Sequence, residues 1–264
     1  MIELEKIFTN RKLLVKHVSE ISPWLQDSNA SSITGGISQA ERQLQDIDPI
    51  EYCRTRNFLN GKVTKLSPYI RHGMLTLDRV RNEALSLCKD PQQIEKFIQE
   101  LAWRDYWQRI YQRHPTHIWD DIESYKTGFQ ADEYEDELSA DIATANTGVA
   151  CIDQFIETLL RTGYMHNHTR MYVAAYIVHW RRIKWQAGAK WFLHHLIDGD
   201  PASNNFSWQW VASTFSNKPY IFNLDNVRKY AHAEINTNSS ENAVLDASYE
   251  ILTLNLFPNK GTEQ

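Results

Sequence analysis

Long apolar runs and paired cysteines are both missing from this chain of 264 residues. No stretch of about eighteen apolar residues occurs, so we expect no transmembrane helix and no membrane partner. Residues 1–18 alternate charged with apolar side chains, which is not the pattern of a secretory signal peptide. The three cysteines are widely spaced and odd in number, at positions 53, 88 and 151. They argue against a disulfide scaffold and favour a reducing, cytoplasmic location.

Motifs of several common enzyme and metal sites are missing as well. There is no GxGxxG, P-loop or GxSxG sequence, so a Rossmann domain is not indicated. Asp198 and Asp200 have the spacing of a calcium loop, but Ala202 and Gln209 stand where an EF-hand needs an oxygen ligand and a glutamate. The histidine pairs lack the i, i+4 spacing of a helical zinc site. We therefore expect no bound metal.

Negative charge is concentrated in one segment of the chain. The formal net charge is −5, and residues 120–141 contain nine acidic residues and one lysine, a charge of −8. The remainder of the chain is therefore mildly basic, at +3. An anionic partner is permitted by this distribution but is not required by it. Nine Trp, twelve Tyr and ten Phe suit either a large helical core or a site for a flat ligand.

Apolar residues recur at helical spacing through most of the chain, and no alternating run of strand length stands out, which predicts an all-α fold. Loops are expected over residues 115–148 and 198–206, and an Asn- and Ser-rich tail from residue 234 carries one apolar island, 249–257. Asp–Pro pairs at 48–49 and 90–91 predict a helix break and a capped helix start. Helices are predicted over these ranges: 1–22, 37–60 with the break at 48–49, a short helix from 67, 76–89, one opening at 90–91, 150–162, 167–182, 186–197, 208–214 and 226–233.

The sequence ELAWRDYW gives a first indication of a site. Glu100, Trp103, Arg104 and Trp107 would share one helix face with the apolar Phe97. Charges beside two tryptophans on a half-apolar face suggest a cleft. The alternative is an ordinary surface ion pair between Glu100 and Arg104, which are four residues apart.

Four segments, taken in order, resemble the flavin-binding helical domain of the DNA photolyase and cryptochrome family. They are YCRTRNF with TKLSPYIRHGMLT, FIQELAWRDYW, TGYMHNHTRM and DGDPASNNFSWQWVAST. The resemblance implies a single all-helical domain that holds FAD folded into a U, without a Rossmann domain. It predicts an N-terminal helix and loop over residues 1–35, the FAD-binding domain over 36–230 and a polar C-terminal tail over 231–264.

The resemblance implies a set of residues that bind the cofactor. Hydroxyl and backbone N–H groups beside Pro68, at a helix start, suit a pyrophosphate. Phe97, Arg104 and Asn167 would line the cofactor from two other segments. Five residues would meet the phosphates and the ribityl chain: Tyr52, Thr64, Lys65, Leu66 and Ser67.

The flavin ring is expected to lie near the fourth segment. Arg170 would pair with Asp198 beside the isoalloxazine, and Asp200 would accept a hydrogen bond from the ring edge. Asn204 would face N5. Because a neutral amide can accept or donate, Asn204 would tune whether N5 carries a proton.

The resemblance also implies a substrate, a pyrimidine dimer flipped out of DNA. Trp103 and Trp210 would stack on the lesion, and Met171 would contact it. Glu100 and Asn167 would hydrogen-bond its edges as catalytic residues, with Glu100 sharing a proton with the transient dimer anion. An asparagine at position 167, where the (6-4) branch has histidine, favours cyclobutane dimers.

An electron path to the flavin is expected to use tryptophan. Trp208 and Trp185 match the first two tryptophans of the family's path. The third is missing from its expected place near Asp132. Candidates for a substitute or a branch are the following: Tyr134, Trp119 and Trp180.

Departures from the family leave two functions open. About 35 residues precede the resemblance, so we expect no N-terminal antenna domain. His168 stands where photolyases have an arginine that grips the lesion strand, and the acidic residues 120–141 would repel DNA if they lie near the cleft. The leading function is light-driven splitting of cyclobutane dimers, with a preference for single-stranded DNA. The alternative is a cryptochrome-like photoreceptor or redox sensor that signals to a protein partner through the C-terminal tail.

Overall fold

The computed structural model of the protein describes residues 7–22 and 31–258. The chain divides into two compact units, 1–34 and 35–264. The first unit contains helix α1 (Arg11–Ile21), which begins later than the predicted N-terminal helix. The proline expected to end that helix lies outside the described residues.

The second unit is built almost entirely from helices. Its α-helices are α2 (Ile37–Gln45), α3 (Pro49–Thr55), α4 (Ser67–Arg71), α5 (Leu77–Ser86), α6 (Glu95–Arg113), α7 (Ala140–Ala143), α8 (Ala150–Thr162), α9 (Asn167–Ala175), α10 (Trp185–His195), α11 (Pro201–Ala212), α12 (Leu224–Tyr230) and α13 (Tyr249–Leu256). A π-helical turn, Tyr176–Trp180, continues α9, and short 3₁₀ turns cover Pro91–Ile94, Pro115–Ile118, Ala131–Glu133, Ser239–Glu241 and Ala243–Leu245.

The all-α prediction is confirmed. Across the described ranges the chain forms no β-strand, and the β contact it makes is a single bridge between Glu135 and Ile183. None of the helices in those ranges is long and apolar enough to cross a membrane. Nor do three His, Cys, Asp or Glu side chains cluster there as metal ligands would.

The two predicted Asp–Pro pairs each begin a helical segment. Asp48 accepts a hydrogen bond from the Glu51 backbone at 2.9 Å, and Pro49 is the first residue of α3. Asp90 accepts from the Gln92 backbone at 3.1 Å and opens the 3₁₀ turn that leads into α6. Both predicted boundaries are confirmed, because a carboxylate satisfies a first-turn N–H and proline needs no hydrogen-bond partner there.

The loop predicted over 198–206 is wrong, because α11 already begins at Pro201. The Asp200 carboxylate accepts from the Ser203 backbone at 2.7 Å, so it caps the helix as Asp48 and Asp90 cap theirs. The polar composition of ASNN hid this third Asp–Pro start. The helix places Asn204 and Trp208 four residues apart on one face, which a loop would not do.

Helices α8 to α11 and the π turn supply most of the core. Five aromatic side chains in it are almost fully buried: Tyr172, Trp185, Phe192, Trp208 and Phe222. Burying each contributes on the order of 1.5–3 kcal/mol. The six-membered ring of Trp208 lies against Gly188 of α10, where a Cβ would meet Cη2 at 2.2 Å. A side chain at position 188 would therefore push α10 and α11 apart.

The residues after α12 pack onto the same unit. Leu245 is fully buried in the main core, and Leu252, Leu256 and Phe257 form a small apolar cluster. Trp180 packs against that cluster and donates from Nε1 to the Val244 carbonyl at 3.1 Å. The predicted apolar island 249–257 is thus the packed helix α13, and the domain boundary at residue 230 stays a prediction.

Gly188→Ala should lower the free energy of unfolding by about 1–3 kcal/mol, because overpacking against Trp208 outweighs the better helix propensity of alanine. Urea denaturation followed by circular dichroism measures the change. Gly35→Ala is the control, since nothing lies within 4 Å of its added Cβ, and it should stay within about 0.5 kcal/mol of the parent. Equal effects of the two variants would contradict the close packing.

Candidate cofactor and substrate site

One cavity of about 550 Å³ brings the predicted site residues together. It is lined by α3, α6, α9, α10, α11 and the segment that leads into α4. Every residue predicted to bind the cofactor or the substrate lines it, and so does Trp208. Trp185 is fully buried behind the wall and does not line it.

A buried ion pair forms one part of the wall. Arg170 Nη2 lies 2.8 Å from Asp198 Oδ2, and Ser67 Oγ donates to the same oxygen at 2.5 Å. Burial alone would raise the pKa of Asp198, but the charge and hydrogen bonds of Arg170, with that of Ser67, outweigh it and lower the pKa. The predicted Arg170–Asp198 pair is therefore present, and it is ionised.

Asp200 is held almost entirely by protein donors. Gln108 Nε2 donates to its two oxygens at 2.8 and 2.7 Å, and Oδ1 also caps α11 through Ser203. Arg104 Nη2 lies 3.7 Å from Oδ2. Burial lowers the pKa of Arg104, and Asp200 opposes that shift. Asp200 thus fixes Arg104 and the start of α11, while its predicted contact with a flavin edge stays a prediction.

The Asn204 amide is oriented by its neighbours. Asn205 Nδ2 donates to the Ile118 carbonyl at 2.7 Å, so Asn205 Oδ1 must act as the acceptor for Asn204 Nδ2 at 2.9 Å. Asn204 Nδ2 also donates to the Ala189 carbonyl at 3.1 Å. Within 7–22 and 31–258 nothing donates to Asn204 Oδ1, so this lining residue offers the cavity an acceptor.

Two further lining residues leave polar atoms unsatisfied. Ser203 Oγ and Trp208 Nε1 are buried and have no hydrogen-bond partner within the described part of the chain. Buried polar groups are nearly always bonded, so the cavity suits a ligand with polar atoms. Its volume lies in the usual range of about 300–1,000 Å³ for cofactor pockets. Four basic side chains line it, which suits a diphosphate: Arg56, Lys65, Arg104 and Arg170.

Two tryptophans that line the cavity are also half-exposed. Trp103 is 49% exposed and Trp210 is 41% exposed, whereas Trp208 of the same cavity is buried. Trp103 stacks on Trp107 with ring centroids 5.4 Å apart, and Trp210 lies 5.7 Å from Tyr220. Each indole is thus braced by a second aromatic ring, as a stacking surface for a planar group requires.

Glu100 has different partners from those that its spacing suggests. Its Oε1 lies 3.2 Å from Arg56 Nη1 and 3.1 Å from Lys96 Nζ, whereas Arg104 turns to Asp200 instead. The cleft interpretation of ELAWRDYW is therefore favoured over a surface pair of Glu100 with Arg104. Sequence reasoning missed Arg56 and Gln108, and the signal for Arg56 was its place inside YCRTRNF.

His168 faces the interior of the protein. Its Nδ1 lies 2.7 Å from the Asn57 carbonyl, and its ring packs between Tyr172 at 4.6 Å and Tyr230 at 4.7 Å. Burial lowers the pKa of His168. The His168 imidazole is therefore committed to contacts inside the protein.

The acidic residues 120–141 do not line the cavity. Asp141 lies 2.7 Å from Arg181 Nη1, and Asp136 lies 2.6 Å from Lys184 Nζ. Part of the charge of this segment is therefore compensated by bases outside it.

The tryptophans of the predicted electron path lie in α10 and α11, which meet at Gly188. Trp208 packs on Gly188, and Trp185 lies three residues before Gly188 on the same helix. Trp119 lies almost parallel to Trp185, with centroids 6.3 Å apart and an interplanar angle of 4°. The other two candidates stack elsewhere: Tyr134 on Tyr125, and Trp180 on Tyr176.

Residues 97–236 match the family model described as the FAD binding domain of DNA photolyase. The chain therefore belongs to the FAD-binding domain family of DNA photolyase. This membership confirms the prediction that the cofactor is FAD. It agrees with the cavity, which is lined by the residues predicted to bind FAD.

Curated relatives of the chain are named as photolyases. The chain is 33% identical over 189 residues to the mitochondrial deoxyribodipyrimidine photo-lyase of Saccharomyces cerevisiae, covering 64% of this chain and 32% of the relative. It is 30% identical over 188 residues to the deoxyribodipyrimidine photo-lyase of Halobacterium salinarum, covering 67% of this chain and 38% of the relative. The chain thus spans about a third of the length of these relatives.

Solved structures confirm the fold. A class III photolyase from Agrobacterium tumefaciens superposes with a TM-score of 0.65 at 27% identity, over 80% of this chain and 47% of that one. A Synechocystis cryptochrome gives a TM-score of 0.66 at 25% identity, over 76% and 44%. An archaeal photolyase from Sulfolobus tokodaii, with two FAD molecules, gives 0.63 at 27%, over 76% and 45%.

Asp198→Asn should lower the free energy of unfolding by about 3–5 kcal/mol at pH 7, because it leaves the Arg170 charge buried without a counter-ion. Because the folded pKa of Asp198 is depressed, its contribution is present above the unfolded pKa and is lost as pH falls through the folded pKa. The difference between parent and variant should therefore shrink between pH 7 and pH 3 in urea denaturation.

Asp225→Asn serves as the control for this change, because its side chain is 78% exposed in a pair with Arg228. It should have little effect at either pH. A difference between parent and Asp198→Asn that is the same at both pH values would contradict the depressed pKa.

Proposed function

We propose that this chain binds FAD in the 550 Å³ cavity and uses light to split cyclobutane pyrimidine dimers in DNA, with a preference for single strands. The observation that carries this proposal is a single cavity that is lined both by a buried ion pair with polar neighbours and by two half-exposed indoles with Glu100. When bound and reduced, FAD supplies the light-driven electron that dimer splitting needs.

The cofactor residues divide the work of binding. Arg170 is fixed by Asp198, and Arg104 by Asp200, so both guanidinium groups are oriented before a ligand arrives. Lys65, at a φ of 51°, turns the chain just before α4 and adds a third positive charge to the wall. Asn204 offers its Oδ1 as the acceptor for a ring N–H.

The substrate residues suit two stacked bases that have left a helix. Trp103 and Trp210 provide planar apolar surfaces, and base stacking on such rings is worth about 1–3 kcal/mol per base. Asn167 can bond the base edges, and Glu100, held by Arg56 and Lys96, presents a carboxylate to the cavity. From this position Glu100 can hydrogen-bond the dimer.

The proposed preference for single strands is supported by the position of His168. His168 is turned inward and supplies no phosphate contact. Extruding a dimer from a duplex costs a few kcal/mol of unpairing and unstacking, and a single strand avoids most of that cost. A protein with few backbone contacts therefore gains most from single-stranded substrate.

The direct test is to irradiate the reduced, FAD-loaded protein with a dimer-containing single strand and to follow dimer loss by chromatography. We expect loss of dimer in blue light and none in the dark, and slower loss from the matching duplex. If neither binding nor repair of the dimer strand occurs, the repair proposal fails. A light-driven change in the C-terminal segment without affinity for damaged DNA would instead support the receptor alternative.

Trp210→Ala should weaken binding of the dimer strand about tenfold to a hundredfold, the factor expected for one lost stacking contact. Fluorescence anisotropy measures it. Tyr249→Ala is matched in exposure, at 41%, but lies on α13 away from the cavity, and it should bind as the parent does. Equal losses in the two variants would show that Trp210 does not stack on the lesion.

Glu100→Ala should reduce repair more than binding, because its carboxylate acts on the dimer and is not a backbone contact. The quantum yield of repair, set beside the dissociation constant, separates the two effects. Glu95→Ala is the control, as an acid of the same helix that bonds Gln99 and does not line the cavity. A loss of affinity as large as the loss of yield would oppose a role for Glu100 in the splitting step.

Trp208→Phe should lose most of the light-driven reduction of bound FAD, because phenylalanine is much harder to oxidise than tryptophan. Absorption spectra under blue light with an external reductant follow the reduction. Trp191→Phe is the control, since Trp191 is a buried indole of α10 that does not line the cavity. Reduction of Trp208→Phe at the parent rate would rule out the path through Trp208.

A further inference from the structure

A carboxylate bonds the buried indole that follows Trp208 in the proposed path. Trp185 has no exposed surface, and its Nε1 donates to Asp121 Oδ1 at 2.6 Å. Gln186 Nε2 lies 3.2 Å from the same oxygen. The contact joins α10 to the acidic segment, 64 residues earlier in the chain. A short hydrogen bond from an indole to a carboxylate is a strong, charge-assisted one.

The charges around the two stacked indoles differ in sign. Asp121 places a negative charge at the N–H of Trp185, which stabilises positive charge on that ring. Lys190 Nζ lies 5.6 Å from the centroid of the Trp119 ring, which disfavours positive charge there. Trp119 is stacked on Trp185. The two nearby charges nevertheless make Trp185 easier to oxidise than Trp119.

We infer that Trp185 is the terminal electron donor of the path and that Asp121 is its proton acceptor. Trp208 would give one electron to light-excited FAD, the oxidant that the proposed function supplies, and Trp185 would refill Trp208. The Nε1 proton of Trp185 then moves to Asp121 Oδ1. The products on the chain would be a neutral indolyl radical at Trp185 and a neutral carboxylic acid at Asp121, with the one electron accepted by bound FAD.

The proton transfer explains how the oxidised Trp185, although buried, can persist without regaining its electron at once. Return of the electron to Trp185 requires the proton to come back to Nε1, so the recombined state is reached more slowly. Tyr125 is a titratable side chain whose pKa is affected by Asp121. Burial raises the pKa of its phenol and Asp121 raises it further, so Tyr125 stays protonated and does not take the proton in place of Asp121.

Laser-flash absorption of the FAD-loaded protein tests the assignment without DNA, so its outcome is independent of dimer repair, although it rests on the proposed FAD site. In the parent, the tryptophan radical should lose its proton and persist. In Asp121→Asn it should remain protonated and recombine at least about tenfold faster, the factor expected when a hydrogen bond to a charged acceptor is lost. Asp121→Glu should restore proton loss.

Asp120→Asn is the matched control. It removes the same charge from the neighbouring, exposed position, whose contact with α11 is made by the backbone carbonyl. It should leave the radical unchanged. Trp119→Phe should also keep the long-lived radical, whereas a shortened lifetime in that variant would place the radical on Trp119 and overturn the inference. Absence of any tryptophan radical in the parent would overturn it as well.

The hydrogen bond itself is measured in the dark by ¹H–¹⁵N spectra of the indole groups, with the Trp185 signal assigned from Trp185→Phe. We expect a downfield Trp185 proton that moves in Asp121→Asn and stays in place in Asp120→Asn. Solvent deuterium should slow radical formation in the parent but not in Asp121→Asn. If the Trp185 indole signal does not move in Asp121→Asn, the hydrogen bond between Trp185 and Asp121 is not formed, and the inference is wrong.

Discussion

The buried pair between Arg170 and Asp198 is the interaction on which the cavity depends. It connects α9 to the segment before α11, and Ser67 brings α4 to the same carboxylate. Arg71 strengthens this junction by donating to the Gly199 carbonyl at 2.6 Å. Because a buried charge is tolerated only with its partners in place, these segments are held in one relative arrangement. The walls of the cavity are consequently fixed before any cofactor binds.

Helix α11 then distributes the functions around that fixed point. Its N-cap, Asp200, orients Arg104; its first turns present Ser203 and Asn204; and Trp208 follows one turn later against Gly188. A helix rises only 1.5 Å per residue, so cofactor contacts, electron entry and the stacking surface of Trp210 lie within a few turns. Cofactor binding and substrate binding therefore depend on the same rigid element.

The sequence predicted the helical fold and named residues that line one cavity, because both depend on local signals. Helical periodicity and the four family segments identify which residues form helices and which belong to the cavity. Neither signal needs the distances between those residues in space. It misjudged α11, because ASNN reads as a loop unless Asp200–Pro201 is recognised as a cap. Glu100 spaced four residues from Arg104 suggested a pair, yet Glu100 pairs with Arg56 and Arg104 with Asp200, both at the ends of other helices. The Trp185–Asp121 contact joins residues 64 positions apart, and no local pattern encodes such a contact.

The packing of the segment after α12 bears on how a minimal flavin module could be engineered. Leu245 lies within the main core, and Trp180 gives its indole proton to the Val244 carbonyl. Ending a gene at residue 230 would uncover these apolar surfaces and leave the π turn without its cover. The resulting fragment would expose an apolar patch and would self-associate through it. A portable light-sensitive module should therefore keep the chain through Phe257, even though none of residues 231–258 lines the cavity.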